Sequence, residues 1–221
     1  MKKIKICTPV IGKTLEEFLN NLDQVQGVSD IVELRVDKIK NLSKNDLQLV
    51  RERTTKQAIF TSRRKEIILN VLDLGFDFID IDLPLIKDFN LPKQIKSNII
   101  ISFHDFKRTP DVNKLETILN KIREFKPEVI KIATKVNNNQ DVKNLLRILL
   151  DKKENEKMII VGIGEKGRLI RILGPLLGSF LTFASTRFGK SASGQIDINE
   201  MKKLYKLLDK SSIPKFFIGK Q

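Results

Sequence analysis

The stretch NIIISFHDFKRTPDVNKLETILNKIREFKPEVIKIAT (98–134) contains two apolar runs of β type separated by one segment of helix type. Thr109 followed by Pro110 has the pattern of an N-cap with proline at the first helical position, and apolar residues then recur at helical spacing. The stretch therefore predicts a strand–helix–strand unit, in which a crossover helix joins two parallel strands.

The same alternation continues in both directions from this unit. Thr14 with Glu17 predicts a capping box at the first helix, and Ser43 opens the second helix. Eight strand–helix repeats predict a single-domain (β/α)8 TIM barrel over residues 1–221, and a doubly wound open sheet is the alternative. No G-x-G-x-x-G follows the first strand, which disfavours a Rossmann dinucleotide site. The predicted strands are 4–9, 30–35, 57–62, 76–82, 98–104, 128–133, 157–163 and 178–185.

The composition excludes several classes of protein. The single cysteine, Cys7, excludes an intrachain disulfide and a cysteine-based zinc site, and the single histidine, His104, excludes a histidine cluster for a metal. No apolar run approaches the roughly 18 residues that a membrane span needs, and the N-terminus lacks the features of a signal peptide. We therefore expect a cytoplasmic protein without a membrane partner.

The net charge of +14 admits a nucleic-acid-binding protein as an alternative. However, the lysines are spread over the whole chain, and one tyrosine and no tryptophan offer little aromatic surface on which bases could stack. We interpret the charge chiefly as a lysine-rich composition, and secondly as a field that attracts a small anionic substrate. No nucleic-acid partner is expected.

Polar residues break the apolar pattern near the C-terminal ends of four predicted strands. Because side chains alternate along a strand and the apolar face must pack against the helices, the polar face points into the barrel. The C-terminal mouth is where such barrels hold their active sites. Ionisable groups gathered there are unfavourable unless they pair or serve chemistry. The residues expected at this mouth are Glu33, Arg35, Asp82, His104 and Lys131, with Arg63 on the same rim.

Lys131 lies in the middle of an apolar strand. In a low-dielectric pocket beside Arg35, its pKa is expected to fall, so that some neutral amine exists at pH 7. A neutral amine forms a Schiff base with a ketone and acidifies the adjacent C–H, and His104 is suited to take that proton. A second interpretation is a class I aldolase-type barrel, in which the glycines of VGIGEKG (161–167) would bind phosphate. The loop STRFGKSASGQI (185–196) is typical of a lid.

Four short motifs, taken together, resemble the type I 3-dehydroquinate dehydratase family of the shikimate pathway. They are ELRVD (33–37), SFHDF (102–106), KIAT (131–134) and SASGQ (191–195), and the resemblance covers nearly the whole chain. It implies conversion of 3-dehydroquinate to 3-dehydroshikimate in aromatic amino acid biosynthesis, by a homodimer that needs no metal or organic cofactor. It also implies roles for individual residues: an iminium on Lys131, His104 as general base and then acid, hydroxyl binding by Glu33, Arg35 and Arg63, and binding of the substrate and its carboxylate by Arg171, Ser191 and Gln195.

Two departures from the family pattern concern the candidate site and the bottom of the barrel. The family commonly has an Arg-x-x-x-Glu-Gly-Gly run after strand three, whose glutamate helps to orient the histidine. Here the corresponding segment, FTSRRKEIIL (60–69), lacks the glycines and is one residue short, which makes Glu66 the candidate for that role. Some members carry an N-terminal hairpin that closes the bottom of the barrel, whereas this sequence starts at strand one, so we expect a barrel without that hairpin.

Overall fold

The computed structural model describes residues 4–87, 89 and 95–210, and strands and helices alternate along them. The predicted domain of 1–221 extends at both ends beyond the described residues. A short 3₁₀ turn, Glu165–Gly167, precedes the seventh helix. The strands are β1 (Ile6–Ile11), β2 (Ile31–Arg35), β3 (Gln57–Thr61), β4 (Phe78–Asp82), β5 (Asn98–Asp105), β6 (Val129–Lys135), β7 (Met158–Ile163) and β8 (Thr182–Phe183). The helices are α1 (Leu15–Gln26), α2 (Lys44–Arg53), α3 (Lys65–Val71), α4 (Leu83–Ile86), α5 (Val112–Arg123), α6 (Asn139–Leu150), α7 (Arg168–Leu176) and α8 (Ile198–Lys210).

The strands form one sheet whose two ends approach each other. Every ladder between named strands of the described chain is parallel, and the strand order is β7-β6-β5-β4-β3-β2-β1-β8. The backbone N–H of Phe180, just before β8, donates to the carbonyl of Met158 in β7 at 2.7 Å. The described residues therefore form a nearly closed TIM barrel. The prediction of a (β/α)8 barrel is confirmed, and the open-sheet alternative is wrong.

The inward face of the strands changes from apolar to polar along the barrel axis. Apolar side chains near the N-terminal ends form an apolar floor inside the barrel. Two residues further along four of the strands, the same face carries a polar side chain, because side chains on one face of a strand recur every two residues. The sequence therefore places a polar layer directly above the floor. The pairs are Ile31 with Glu33, Phe78 with Asp80, Ile100 with Ser102, and Val129 with Lys131.

The starts of the helices agree only partly with the predicted caps. Ser43 and Asp46 form a complete capping box at α2. Thr14 accepts from the backbone N–H of Glu17 at 3.1 Å, but the Glu17 carboxylate accepts from Lys13 and does not close the box.

The predicted N-cap at Thr109 is wrong. Asp111 caps α5 and accepts from the backbone N–H of Lys114 at 2.8 Å. Thr109 is engaged elsewhere, because its hydroxyl donates to the carbonyl of Lys135 at 2.9 Å and so ties the loop to the end of β6.

The last strand is much shorter than the predicted range of 178–185. Gly178 has a φ of 99°, which belongs to the left-handed region, and the backbone N–H of Ser179 still donates to the carbonyl of Gly174 in α7. The chain therefore completes the turn after α7 before it can enter the sheet. Among the helices of the described residues, none combines the length and the apolar character that crossing a bilayer requires.

Candidate active site

The eight predicted site residues line one cavity of about 130 Å³ at the C-terminal ends of the strands. Asp82, which the sequence also places at this mouth, lies in the same lining. Asp80 lines the cavity as well but is absent from the predicted set. Its signal was present in the sequence, because Asp80 shares the inward face of β4 with Asp82. The predicted residues are Glu33, Arg35, Arg63, His104, Lys131, Arg171, Ser191 and Gln195.

Lys131 is buried in the polar layer above the barrel floor, with a relative exposure of 5%. Its ammonium group donates to Oδ2 of Asp80 at 2.6 Å, and Oε1 of Glu33 lies 3.9 Å away. The ring centroid of Phe183 lies 5.0 Å from Nζ, which adds a cation–π contact. Lys131 therefore faces a closed site and not bulk water, in contact with one carboxylate and near a second.

The direction in which the pKa of Lys131 shifts differs from the prediction. Burial lowers this pKa, but the negative charges of Asp80 and Glu33 outweigh burial, and the net result is a pKa above the ordinary value. Arg35 lowers it as predicted, but it is the smallest of these influences. Burial raises the pKa of Asp80, and the nearby charge of Lys131 reverses this effect, so that the pKa of Asp80 falls. The resting pair is therefore an ammonium and a carboxylate.

The Asp80→Asn substitution is expected to lower the pKa of Lys131, because it removes the largest influence that favours the ammonium form. Reductive methylation with formaldehyde and a mild hydride donor modifies only the neutral amine. Its pH midpoint at Lys131, followed by peptide mass spectrometry, should therefore move to lower pH in the variant. The exposed Lys44 in the same sample serves as an internal control and should keep its midpoint. An unchanged or higher midpoint at Lys131 would show that Asp80 does not set its charge.

His104 is contacted by a carboxylate from the neighbouring strand. Its Nδ1 lies 3.1 Å from Oδ1 of Asp82, at the end of β4. Glu66, the candidate for orienting the histidine, has an exposed side chain on α3 and is absent from the lining of the cavity. The interpretation of Glu66 is therefore corrected, because α3 starts at Lys65 and turns this residue towards solvent.

Arg35 and Arg63 lie on the rim near Asp37. The Nε and Nη2 atoms of Arg35 donate to Oδ2 of Asp37 at 3.2 and 3.0 Å, and the backbone N–H of Arg63 donates to the other carboxylate oxygen at 3.1 Å. Burial lowers the pKa of Arg35, but Glu33 and Asp37 outweigh it, and the pKa is raised. Asp37 thus links the ends of β2 and β3 and holds the Arg35 guanidinium at the mouth of the barrel.

Arg171 projects from α7 into the cavity and is almost completely buried, with a relative exposure of 1%. Its Nη1 donates to the carbonyl of Phe183 at 3.4 Å and its Nη2 to the carbonyl of Ser193 at 3.5 Å, both long bonds, and its Nε has no hydrogen-bond partner among the described residues. Burial lowers its pKa to about 10, and the charge of Glu33 opposes this shift. The site therefore contains a buried cation with donor capacity left for an anion.

The loop over residues 185–196 covers one side of the cavity. Oε1 of Gln195 accepts from the backbone N–H of Ser191 at 2.8 Å, and its Nε2 donates to the Ser191 hydroxyl at 3.1 Å. The carbonyl of Ser193 accepts from the backbone N–H of Gly164, which joins the loop to the end of β7. A Cβ at Gly194 would overlap the carbonyl of Gly164, and its φ is 79°, so this close approach requires glycine.

Comparisons with known proteins agree with this geometry. The model of the type I 3-dehydroquinase family matches residues 6–212. A 3-dehydroquinate dehydratase of Coxiella burnetii is 42% identical and covers 95% of this chain and 96% of its own, and one of Methanocaldococcus jannaschii is 34% identical with coverages of 92% and 99%. The crystal structure of 3-dehydroquinate dehydratase from Geobacillus kaustophilus has the same fold, with a TM-score of 0.86 at 21% identity over 96% of this chain and 93% of the other. The match along almost the full length, on a barrel with a buried lysine at its mouth, shows that the chain belongs to the type I 3-dehydroquinase family.

Proposed function

We propose that the protein dehydrates 3-dehydroquinate to 3-dehydroshikimate through a Schiff base on Lys131, with His104 transferring the proton. Membership of the family makes the chain a hydro-lyase, a 3-dehydroquinate dehydratase. The observation that carries the mechanism is the position of the Lys131 amine, which is buried in the cavity that His104 also lines. An amine shielded from water can form an imine that is protected from premature hydrolysis.

The first step requires Lys131 to lose a proton. Asp80 is the acceptor best placed for it, since its Oδ2 lies 2.6 Å from Nζ. The neutral amine then adds to the ketone carbon, Asp80 gives the proton back so that the carbonyl oxygen leaves as water, and a protonated iminium links the substrate to Nζ. The positive charge that forms at the iminium lies where the ammonium charge lay before. The carboxylates of Asp80 and Glu33 therefore stabilise it without rearrangement.

The second step is the elimination. The iminium acidifies the adjacent C–H, and Nε2 of His104 takes this proton as the electron pair forms an enamine. The enamine then expels the hydroxyl group on the next carbon, and the protonated His104 returns its proton so that the group leaves as water. Hydrolysis of the product iminium consumes the water released in the first step and restores Lys131. The net change is the loss of one water from the substrate.

The remaining predicted residues bind the substrate in this proposal. Arg171, Ser191 and Gln195 hold its carboxylate, while Glu33, Arg35 and Arg63 contact hydroxyl groups and order the charged network. The support for a carboxylate at Arg171 is its burial together with its unpartnered Nε, because a guanidinium binds a carboxylate through two parallel hydrogen bonds.

Arg171→Lys is expected to raise the KM for 3-dehydroquinate by about 30-fold and to change kcat much less. The substitution keeps the charge but removes the planar pair of donors, and one charged hydrogen bond is worth about 2 kcal/mol. Steady-state kinetics measure both constants, and Arg53→Lys, at an exposed ion pair outside the cavity, is the matched control. A KM within threefold of the wild-type value would contradict this role for Arg171.

The direct test of the proposal combines an ultraviolet assay with covalent trapping. Purified protein given 3-dehydroquinate should produce the absorbance of a conjugated enone. Borohydride added during turnover should reduce the iminium and leave the adduct on the peptide that contains Lys131. Turnover without any adduct at Lys131 would exclude the Schiff-base mechanism and leave only the overall reaction.

The aldolase-type interpretation loses the support of its glycine pattern. It required the glycines of residues 161–167 to form a phosphate site. Instead, a Cβ at Gly162 would lie 2.7 Å from the Cα of Gly167, so the two glycines allow two backbone segments to touch. The glycine pattern is thus explained by packing, and it no longer favours a phosphorylated substrate.

The family resemblance supports three further parts of the proposal: a homodimer, a cytoplasmic location and a role in aromatic amino acid biosynthesis. Light scattering on the purified protein would test the dimer. Growth of a dehydratase-deficient bacterium without aromatic supplements, once it expresses this chain, would test the pathway.

A further inference from the structure

Two carboxylates on β4 each contact one of the two predicted catalytic residues. Asp80 and Asp82 lie on the same inward face, two residues apart, near the C-terminal end of the strand. Asp80 contacts the amine of Lys131 at 2.6 Å, and Asp82 contacts the imidazole of His104 at 3.1 Å. One short segment therefore supplies an anionic partner to each of them.

The contact between Asp82 and His104 selects one tautomer of the ring. A carboxylate can only accept a hydrogen bond, so Nδ1 of His104 must donate to Oδ1 of Asp82. When Nδ1 of a neutral imidazole carries the proton, Nε2 carries the lone pair and can act as a base. A carboxylate at Nδ1 also stabilises the imidazolium that forms once Nε2 has taken a proton.

The orientation of the ring is fixed from a second direction. The ring of Phe106 stacks on His104 with centroids 5.8 Å apart and an interplanar angle of 8°. The guanidinium of Arg63 lies over the ring of Phe106, with its Cζ 5.3 Å from the ring centroid. His104 is thus restrained at one edge by Asp82 and on one face by Phe106, which leaves its Nε2 edge for the substrate.

We infer that Asp82 is the positioning residue of the dehydratase, fixing the tautomer and the orientation of His104. This inference rests on the proposed function, since it assigns a partner to the base of that reaction. It places the anionic partner at the end of β4, two residues beyond Asp80 of the polar layer, while Glu66 on α3 remains exposed. Asp82 touches no reacting atom in this scheme and acts only through His104.

The test uses Asp82→Ala together with Asp82→Asn, which is nearly isosteric and is therefore expected to keep the fold. Asp82→Ala should reduce kcat by about 10²-fold. A correctly positioned general base contributes about 10²- to 10⁴-fold, and loss of positioning should remove an amount at the low end of that range. Asp82→Asn keeps the shape of the side chain but removes its charge, and it should reduce kcat by at least about tenfold. The control is Asp73→Asn, an exposed carboxylate outside the cavity, which should leave kcat unchanged.

Two readouts separate positioning from a general structural role. The chain has one histidine, so the ¹⁵N spectrum of labelled imidazole reports His104 alone. We expect the Nδ1–H tautomer in the wild type and a shift towards the Nε2–H tautomer in Asp82→Ala. Borohydride trapping of the adduct at Lys131 should proceed at the wild-type rate in both Asp82 variants, because imine formation precedes proton abstraction.

Each outcome of this experiment has a definite meaning. A lower kcat with an altered tautomer and undiminished trapping supports Asp82 as the positioning residue. A kcat within twofold of the wild type in both variants, an unchanged tautomer in Asp82→Ala, or trapping that falls together with kcat would overturn it. Absence of the adduct in the wild type would instead refute the proposed Schiff-base mechanism, which keeps the two failures distinguishable.

Discussion

Lys131→Arg is expected to lose at least about 10⁴-fold in kcat, the largest effect of any single substitution predicted for this chain. A guanidinium stays protonated at every accessible pH and cannot add to a ketone, so no iminium can form. Borohydride should leave no adduct on the variant, and the ultraviolet assay should show no enone above the uncatalysed rate.

Lys131→Arg is a more informative test than Lys131→Ala because arginine keeps the positive charge. Removing the cation would leave the buried carboxylates of Asp80 and Glu33 without their partner, and breaking a buried pair in this way typically destabilises a protein by about 3–5 kcal/mol. An inactive alanine variant could therefore simply be unfolded. Lys157→Arg, at an exposed lysine paired with Glu128, is the matched control. Substantial turnover by Lys131→Arg would refute covalent catalysis at this residue.

The second largest effect is expected for His104→Asn, at about 10³-fold in kcat, which is within the range for a positioned general base. The asparagine amide can occupy the place of Nδ1–H and donate to Asp82, so the contact seen at 3.1 Å is preserved. Nothing replaces Nε2. The substitution therefore removes the proposed base while it keeps the local network.

The decisive measurement on this variant is the separation of the two chemical steps. The iminium should still form on Lys131, so borohydride should trap a substrate adduct in amounts similar to the wild type. The release of enone should be slow, and exchange of the proton next to the ketone, followed in deuterated water, should be slow as well. Rapid exchange at that carbon in His104→Asn would assign the base to another residue.

The pattern of the strands shows why much of the site could be predicted. Glu33, His104 and Lys131 interrupt apolar runs and lie on one face of their strands. In a parallel barrel the apolar face packs against the helices, so the polar face must point inward. Arg171, Ser191 and Gln195 are different, because they lie on a helix and a loop with no such periodicity. Their predicted roles came from the family resemblance, and the structure places them in the same cavity.

Two features of the site could not be predicted because they depend on distances between segments far apart in the chain. The pKa of Lys131 is raised because Asp80, 51 residues away in sequence, lies 2.6 Å from its amine. The partner of His104 is Asp82 on the neighbouring strand, whereas the family resemblance had pointed to Glu66.

The sequence by itself determined the barrel, its apolar floor and the polar layer above it, because strand periodicity and alternation with helices act over a few neighbouring residues. The tertiary structure decided that Asp80 pairs with Lys131 and Asp82 with His104. The first of these pairs also sets the charge of the Lys131 amine. Electrostatic energy depends on separations of a few ångströms across strands, and the register that sets these separations exists only in the folded chain.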